Sequence, residues 1–258
     1  MPAQAELDRL CVVLVATRNP LNIGAAARAM SNFGFLNLRV VNPYPVAFRE
    51  ARSAVGASAV LVSAVEFKGV AEAVADCTLV VGTTAVGPRE LQHQIRRLED
   101  GARIIRKRLR SSRVALLFGS EKVGLANKDL SHCHWVMRIP TREEHRSVNL
   151  GQAVAICLYE LARGSKLAAP EKRERANAAQ SLKVDRPATA AEVELVGQVL
   201  LDALRASGFL ESRSAARTEE KVRRLIRRHK LTAGDAEFWL GMVRQIVWKL
   251  QSGNDSTD

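Results

Sequence analysis

Three short segments, each following an apolar run, hold the residue types best suited to chemistry. Asn19-Pro20-Leu21-Asn22-Ile23-Gly24-Ala25-Ala26-Ala27-Arg28 joins a buried-strand pattern to a helical one. Gly24 and the alanines let that helix approach other backbone closely, and Arg28 has little side-chain bulk around it. Its guanidinium can meet a phosphate or polarise a hydroxyl, or it can be a plain solvated charge. Phe118-Gly119-Ser120-Glu121-Lys122-Val123-Gly124-Leu125 places glycines where backbone must come close to a ligand. Glu121 there can orient a basic side chain or a ligand hydroxyl, or cap a short helix. Ile139-Pro140 leads through a polar loop to Ser147-Val148-Asn149-Leu150-Gly151-Gln152-Ala153. Ser147 suits a helix N-cap, and the backbone and Asn149 can alternatively face a bound ligand.

Familiar phosphate and metal motifs fail on these residues. No GxGxxG follows the first apolar run. Gly119 to Gly124 has the glycine spacing of a P-loop, but Leu125 and Ala126 replace its Lys and Ser/Thr. His132-Cys133-His134 has metal-ligand types, yet strand neighbours point to opposite faces and no second pair lies at zinc spacing. No metal is expected.

The elements that position these segments alternate. Short apolar runs at 10–16, 38–42, 78–84, 114–119 and 135–140 read as buried parallel strands. Helical patterns cover 21–33, which stops near Gly34, then 70–75, 89–109 and 147–163. The second strand is stopped by Pro43 and Pro45, and 49–67 has no clear pattern. Alternation of this kind gives an α/β domain with a mainly parallel sheet. After Arg163 the composition becomes polar and charged. Residues 165–188 read as a linker, with a loose helical piece within 171–180. Residues 189–251 read as a small all-α domain, opened by Thr189 and Glu192 at capping-box spacing. Its helices are expected at about 189–206, 218–229 and 233–250, with Trp239 and Trp248 as packing residues. Residues 252–258 are expected to be a disordered tail.

Composition bounds the class. With 258 residues, 47% hydrophobic and 26% charged, a sizeable core is available and a disordered chain is excluded. No apolar run is long enough to span a membrane, and the first residues do not read as a signal peptide. Four scattered cysteines suggest a reducing cytoplasm. The net charge of +12 divides as +8 before residue 165 and +4 after it. A polyanion partner follows from such an excess. Arg96, Arg97, Arg103, Arg106, Lys107, Arg108, Arg110 and Arg113 form one dense basic stretch, and Arg223, Arg224, Arg227, Arg228 and Lys230 a second. Each is either a phosphate-contacting surface or a solvated helix face. The twelve aromatics do not line up as a stacking platform, which favours recognition of backbone and shape.

Taken in order, N-P-x-N-I-G-A-x-x-R, F-G-S-E-x-x-G-L and I-P followed by S-V-N-L-x-x-A resemble the SPOUT class of RNA methyltransferases, over residues 12–161. Within it they are most similar to the TrmH-like 2′-O-ribose methyltransferases. Arg186 to Glu192, Ala206 to Phe209 and Lys221 to Leu225 resemble the helical C-terminal domain of the TrmJ branch, which methylates nucleotide 32 of the tRNA anticodon loop. The resemblance implies residues 1–164 as a methyltransferase domain whose sheet ends in a trefoil knot, a rare exception to unknotted topology. It implies S-adenosylmethionine held by Thr83, Thr84, Ala85, Gly119, Ile139, Arg146, Ser147 and Val148. It implies catalytic positions at Arg28, Asn22, Glu121, Ser147 and Asn149, and a homodimer in which each site is built partly by the partner chain. With tRNA as partner, rather than DNA or a membrane, Arg89, Arg96, Arg97, Arg106, Lys107, Arg223, Arg224, Arg227 and Arg228 are the expected RNA contacts. Other RNA targets, or a catalytically silent RNA-binding relative, are the alternatives. Two departures bear on substrate choice. Val86 stands where TrmJ members often carry Arg, with Arg89 as its replacement, and His145-Arg146 stands where a relative has Tyr-Ser.

Overall fold

The computed structural model describes residues 4–53, 59–85, 93–163, 186–210 and 215–254. The chain divides into two compact units, 1–174 and 175–258.

The first unit is an α/β layer structure. In chain order it contains α1 (Gln4–Leu7), β1 (Leu10–Val15), α2 (Pro20–Phe33), β2 (Asn37–Val41), α3 (Pro45–Ser53), α4 (Ala59–Val62), β3 (Val65–Phe67) and α5 (Val70–Ala73). There follow β4 (Leu79–Thr83), β5 (Ile95–Arg97), α6 (Leu98–Leu109), β6 (Val114–Phe118), α7 (Asn127–Leu130), β7 (Trp135–Arg138) and α8 (Leu150–Arg163). Seven strands pair in the order β3-β2-β1-β6-β4-β7-β5, every pair parallel. Every residue of β1 and β6 is buried, which is why both read as unbroken apolar runs. The chain builds outward from β1 to β2 and β3, then crosses to the other side of β1. Open α/β sheets bind ligands at the carboxyl ends of strands near such a reversal.

Helix α2 shows how local sequence sets the geometry. The Asn19 side chain accepts the Leu21 N–H at 2.9 Å, and Pro20 occupies the first turn, where its missing N–H costs nothing. Gly34 ends the helix at φ +78°, and the N–H groups of Gly34 and Phe35 return to the carbonyls of Ser31 and Met30. The buried face of α2 (Ile23, Ala26, Ala27, Met30) joins β1 residues Leu10, Val12 and Leu14 and α8 residues Val154, Leu158 and Leu161 in one core.

Four expectations change. The helix expected over 89–109 begins only at Leu98. Residues 95–97 form an edge strand on β7 instead, and Arg96 lies over the Trp135 ring at 5.5 Å. Strand pairing has overridden the helical period there, and the earlier part of the expected helix, 89–92, lies outside the described residues. The unpatterned stretch holds α3, α4 and β3, and Pro45 starts a helix as well as following a strand. Ser147 is not the cap of the last helix. Asn149 is, because its Oδ1 accepts the N–H of Gly151 at 2.9 Å and helix α8 starts at Leu150. His132, Cys133 and His134 lie on the turn before β7 rather than on a strand. The His134 Nδ1 accepts the Val80 N–H at 3.0 Å.

The second unit contains α9 (Ala190–Ala206), α10 (Ala215–Arg228) and α11 (Ala233–Asn254). Thr189 and Glu192 form the capping box: the Glu192 carboxylate accepts the Thr189 N–H at 2.8 Å and the Thr189 hydroxyl accepts the Glu192 N–H at 3.3 Å. Arg186 also pairs with Glu192, and chiefly for that reason its carboxyl is held down at about 2. Val193, Val196, Leu201, Val222, Ile226, Leu231 and Ala236 make the core, with Trp239 packed against it. Trp248 is exposed, contrary to expectation, and α11 continues to Asn254, into the segment expected to be a tail. The four cysteines are buried and in no disulfide. Burial alone pushes the Cys157 thiol up to about 12, so it is no nucleophile near neutral pH.

Candidate active site

A cavity of about 480 Å³ opens at the carboxyl ends of β4, β6 and β7. Three loops line it: Thr83-Thr84-Ala85 after β4, Gly119 to Leu125 after β6, and Ile139 with Arg146, Ser147 and Val148 after β7. All eight positions expected to hold the cofactor meet on this one cavity. The volume and the mixed lining suit a medium-sized ligand with polar and apolar parts.

Two glycines make the close approaches. A Cβ on Gly119 would lie 2.0 Å from the Gly124 carbonyl carbon and 2.1 Å from the Leu125 nitrogen, so the loop can fold back on itself only with glycine here. A Cβ on Gly151 would lie 2.6 Å from the Ala25 Cβ. Gly151 and the alanines of α2 thus let α8 seat its first turn against α2.

A polar relay ties the three segments together. Asn149 Nδ2 donates to Asn22 Oδ1 at 2.8 Å, and Asn22 Nδ2 donates to Glu121 Oε1 at 3.1 Å. The Glu121 carboxylate also accepts the backbone N–H groups of Arg18 and Asn19, each at 3.3 Å. Among the described residues, Glu121 therefore neither caps a helix nor faces a basic side chain. It pins the loop after β1 to the loop after β6 by accepting three hydrogen bonds. The loop after β7 joins through Asn149. Asn22, Glu121 and Asn149 are brought together as a unit, and Ser147 stands on the cavity wall.

Arg28 lies apart from this unit. It is exposed on α2, about 9 Å of helix rise and roughly a third of a turn from Asn22. It does not line the cavity. Its helix face carries Leu21 and Ala25, both exposed, and α8 exposes Ile156 and Tyr159.

The expected RNA contacts divide. Arg97 is exposed, with Glu99 at 3.5 Å, and Lys107 is exposed. Arg96 is half-buried over Trp135 and donates to Gln94 at 2.8 Å. Arg106 donates to the Glu160 carbonyl at 2.7 Å, and burial lowers its pKa. Both are thus partly engaged in holding the fold. Arg89 lies outside the described residues, as does Val86. In the second basic stretch most of the cations are paired with acids of the same unit. Glu194 on α9 takes Arg223 and Arg227, each at 2.9 Å, and the Arg227 side chain is 2% exposed. Arg224 is buried beside Glu220 at 3.6 Å. These three cations are neutralised inside the helical unit, and only Arg228 of the four stands exposed.

Reading the sequence missed Asn19, Lys122, Val123, Leu130, Met137 and Ala153 as parts of the site or its loops. Asn19, Lys122, Val123 and Ala153 sat inside segments already singled out. Leu130 and Met137 are apolar wall residues with no distinguishing local signal.

A parallel sheet with this cavity at its switch region defines the class, and comparison with known proteins gives the family. Residues 9–159 match the model of the SpoU rRNA Methylase family. The tRNA (cytidine/uridine-2′-O-)-methyltransferase TrmJ of Yersinia pestis (strain Pestoides F) is 35% identical over 243 residues, 93% of this chain and 92% of its own. The tRNA (cytidine/uridine/adenosine-2′-O-)-methyltransferase TrmJ of Pseudomonas aeruginosa is 34% identical over 93% of this chain and 94% of its own. The crystal structure of TrmJ from Z. mobilis ZM4 superposes with a TM-score of 0.76 at 29% identity, covering 92% of this chain and 98% of that one. The chain belongs to the SpoU methylase family and, within it, to the TrmJ methyltransferases.

Proposed function

We propose that this protein transfers a methyl group from S-adenosylmethionine to a ribose 2′-hydroxyl of tRNA, at nucleotide 32 of the anticodon loop. The observation that carries the reading is the single cavity lined by all eight cofactor positions and flanked by the Asn149–Asn22–Glu121 relay. The similarity of TrmJ relatives over 93% of the chain, both units included, supports tRNA as substrate.

Thr83, Thr84, Ala85, Gly119, Ile139, Arg146, Ser147 and Val148 would hold the cofactor. When bound, S-adenosylmethionine supplies an already activated, electrophilic methyl group. The protein's tasks are then to hold the ribose in line and to draw the proton from its 2′-oxygen. The relay keeps the three loops in register, so that the cavity mouth has one shape. Arg28 binds the RNA backbone beside the 2′-oxygen and assists proton loss, directly or through the phosphate. A guanidinium is a weak base by its ordinary pKa, so charge stabilisation is its main contribution.

The working form is a homodimer. Arg28 stands away from the cavity of its own chain, on a face where Leu21, Ala25, Ile156 and Tyr159 are exposed. Pairing two such faces would carry Arg28 of one subunit to the cavity of the other. The strand order and the loops crowded around β4, β6 and β7 fit the trefoil knot of the class. Residues 1–164 form the methyltransferase domain and 189–251 an RNA-binding helical domain joined by 165–188. Arg97, Lys107, Arg228 and Arg89 are the proposed phosphate contacts. The cytoplasm is the expected compartment. Among the described residues no helix is long and apolar enough to cross a membrane.

The test is incubation of purified protein with labelled S-adenosylmethionine and unmodified bulk tRNA, followed by mapping of alkali-resistant ribose methylation. Methylation at nucleotide 32 is the expected result. Transfer to another tRNA nucleotide, or to the ribosomal RNA for which the family is named, keeps the chemistry and overturns the substrate. No transfer to any RNA overturns the reading.

A further inference from the structure

We propose that the loops after β1 and β2 form a nucleobase platform, with Tyr44 stacking on an unstacked base of the substrate RNA and Arg18 holding its phosphate. The proposal rests on the methyltransferase reading above and adds to it a residue that chooses how the RNA enters. Strands β1 and β2 pair in register up to Val15 and Val41, so their following loops leave the sheet side by side. Both loops turn sharply through non-glycine residues in the left-handed region: Ala16 at φ +52° and Asn42 at φ +44°. Such conformations cost free energy and concentrate at functional sites. The two loops are then tied, since the Tyr44 N–H donates to the Thr17 carbonyl at 3.0 Å.

The result is a Tyr that is 52% exposed, held by its backbone beside an exposed Arg18. Hydrophobic burial does not explain that Tyr. Below it Thr17 is fully buried, and among the described residues its hydroxyl has no hydrogen-bond partner, a cost that the fold carries to hold this loop. The platform is also joined to the cavity. Glu121, which lines the cavity, accepts the N–H groups of Arg18 and Asn19. One rigid path therefore runs from the cavity wall through Glu121 and the β1 loop to Tyr44. Splayed single-stranded bases are recognised by stacking on aromatic rings, with Arg or Lys on the adjoining phosphates.

Steady-state kinetics on tRNA with Tyr44→Ala, Tyr44→Phe and Arg18→Ala tests this. Tyr44→Ala raises the KM for tRNA about tenfold, the size of one lost base–aromatic stack, while kcat and cofactor affinity stay within about twofold. Tyr44→Phe keeps the ring and stays near wild type. Arg18→Ala lowers the slope of log affinity against log salt by about one, as loss of one phosphate contact requires. Tyr44 is exposed, so these variants fold, and their thermal midpoints should match the wild type. Unchanged KM in Tyr44→Ala, with wild type active on tRNA, overturns the platform and leaves the methyltransferase reading intact. A Tyr44→Phe variant as impaired as Tyr44→Ala also overturns stacking. Wild type inactive on tRNA overturns both.

Discussion

Glu121 in the site and Arg28 outside it have opposite proposed roles, and substitution separates them. Glu121 is an acceptor for three donors from the β1 loop and α2. Its removal leaves those donors to solvent, so the stability cost is about 1 kcal/mol. The functional cost is larger, because the cavity wall and the β1 loop lose their shared anchor. Glu121→Ala is expected to weaken cofactor binding about tenfold by calorimetry, with only a small fall in thermal midpoint. Among the described residues, Arg28 has no hydrogen bond or ion pair that it anchors. Arg28→Ala should therefore leave cofactor affinity and stability near wild type and lower turnover by at least about a hundredfold. A variant that binds cofactor poorly but turns over normally per bound cofactor would remove Arg28 from the catalytic role. The ion pairing of the second basic stretch was hidden in the sequence for a related reason. Arg223, Arg224 and Arg227 look like a phosphate patch because their neighbours in sequence are basic. The acid that neutralises two of them, Glu194, lies about 30 residues earlier and becomes their neighbour only when α9 and α10 pack.

At the scale of elements, the sequence was most legible where burial is complete and least where pairing is marginal. Strands β1, β4 and β6 are nearly or fully buried, so their apolar runs stand out. Gly34 and the Thr189–Glu192 box are local signals, and local signals end or start helices wherever the chain goes. The three-residue strands β3 and β5 are edge strands with exposed residues, so neither alternation nor a continuous run marks them. The eight cofactor positions were legible only through the resemblance, since nothing in local spacing places three distant loops around one cavity. An ion-pair cluster invisible in sequence also joins elements. Asp76 takes Arg39 on β2 at 2.6 and 2.8 Å and Arg113, just before β6, at 2.6 Å. These guanidinium hydrogen bonds, Arg39 first, hold the Asp76 carboxyl far below the usual range against the opposing effect of burial. A carboxylate depressed in the folded state stabilises fully above its unfolded value of about 3.9, and that contribution fades as pH falls toward the folded value. Denaturant midpoints should accordingly fall between about pH 4 and pH 2. Asp76→Asn should lower the midpoint at pH 7 and flatten that fall. An equally steep acid limb in Asp76→Asn would show that other carboxylates carry it.

At the scale of the whole molecule, the proposed function asks how an arginine outside the cavity would act on a substrate inside it. A closed twofold dimer would answer it, because pairing the exposed faces of α2 and α8 would carry each Arg28 toward the other subunit. The prediction is specific to assembly. Two inactive variants are needed, each failing in a different half of the composite site. Arg28→Ala retains the cavity and lacks the arginine. Val148→Trp keeps the arginine and fills the cavity, at a loop position lining it. Each alone should be nearly inactive on tRNA. Mixed, unfolded and refolded together, or co-expressed with two affinity tags, they form heterodimers in which one site joins an intact cavity to an intact Arg28. With random pairing, half the dimers are mixed and each mixed dimer has one working site, so activity should recover to about a quarter of wild type. Two sites built each within one chain would give no recovery, since every cavity would then lack either its arginine or its space. Recovery should also depend on subunit exchange: mixing the folded variants without exchange should yield nothing until dimers dissociate. An α2-face variant, Leu21→Glu, should abolish recovery along with dimerisation in sedimentation, because it places a charge in the centre of the apolar face. Recovery near a quarter, lost with Leu21→Glu, would place the catalytic arginine across the dimer.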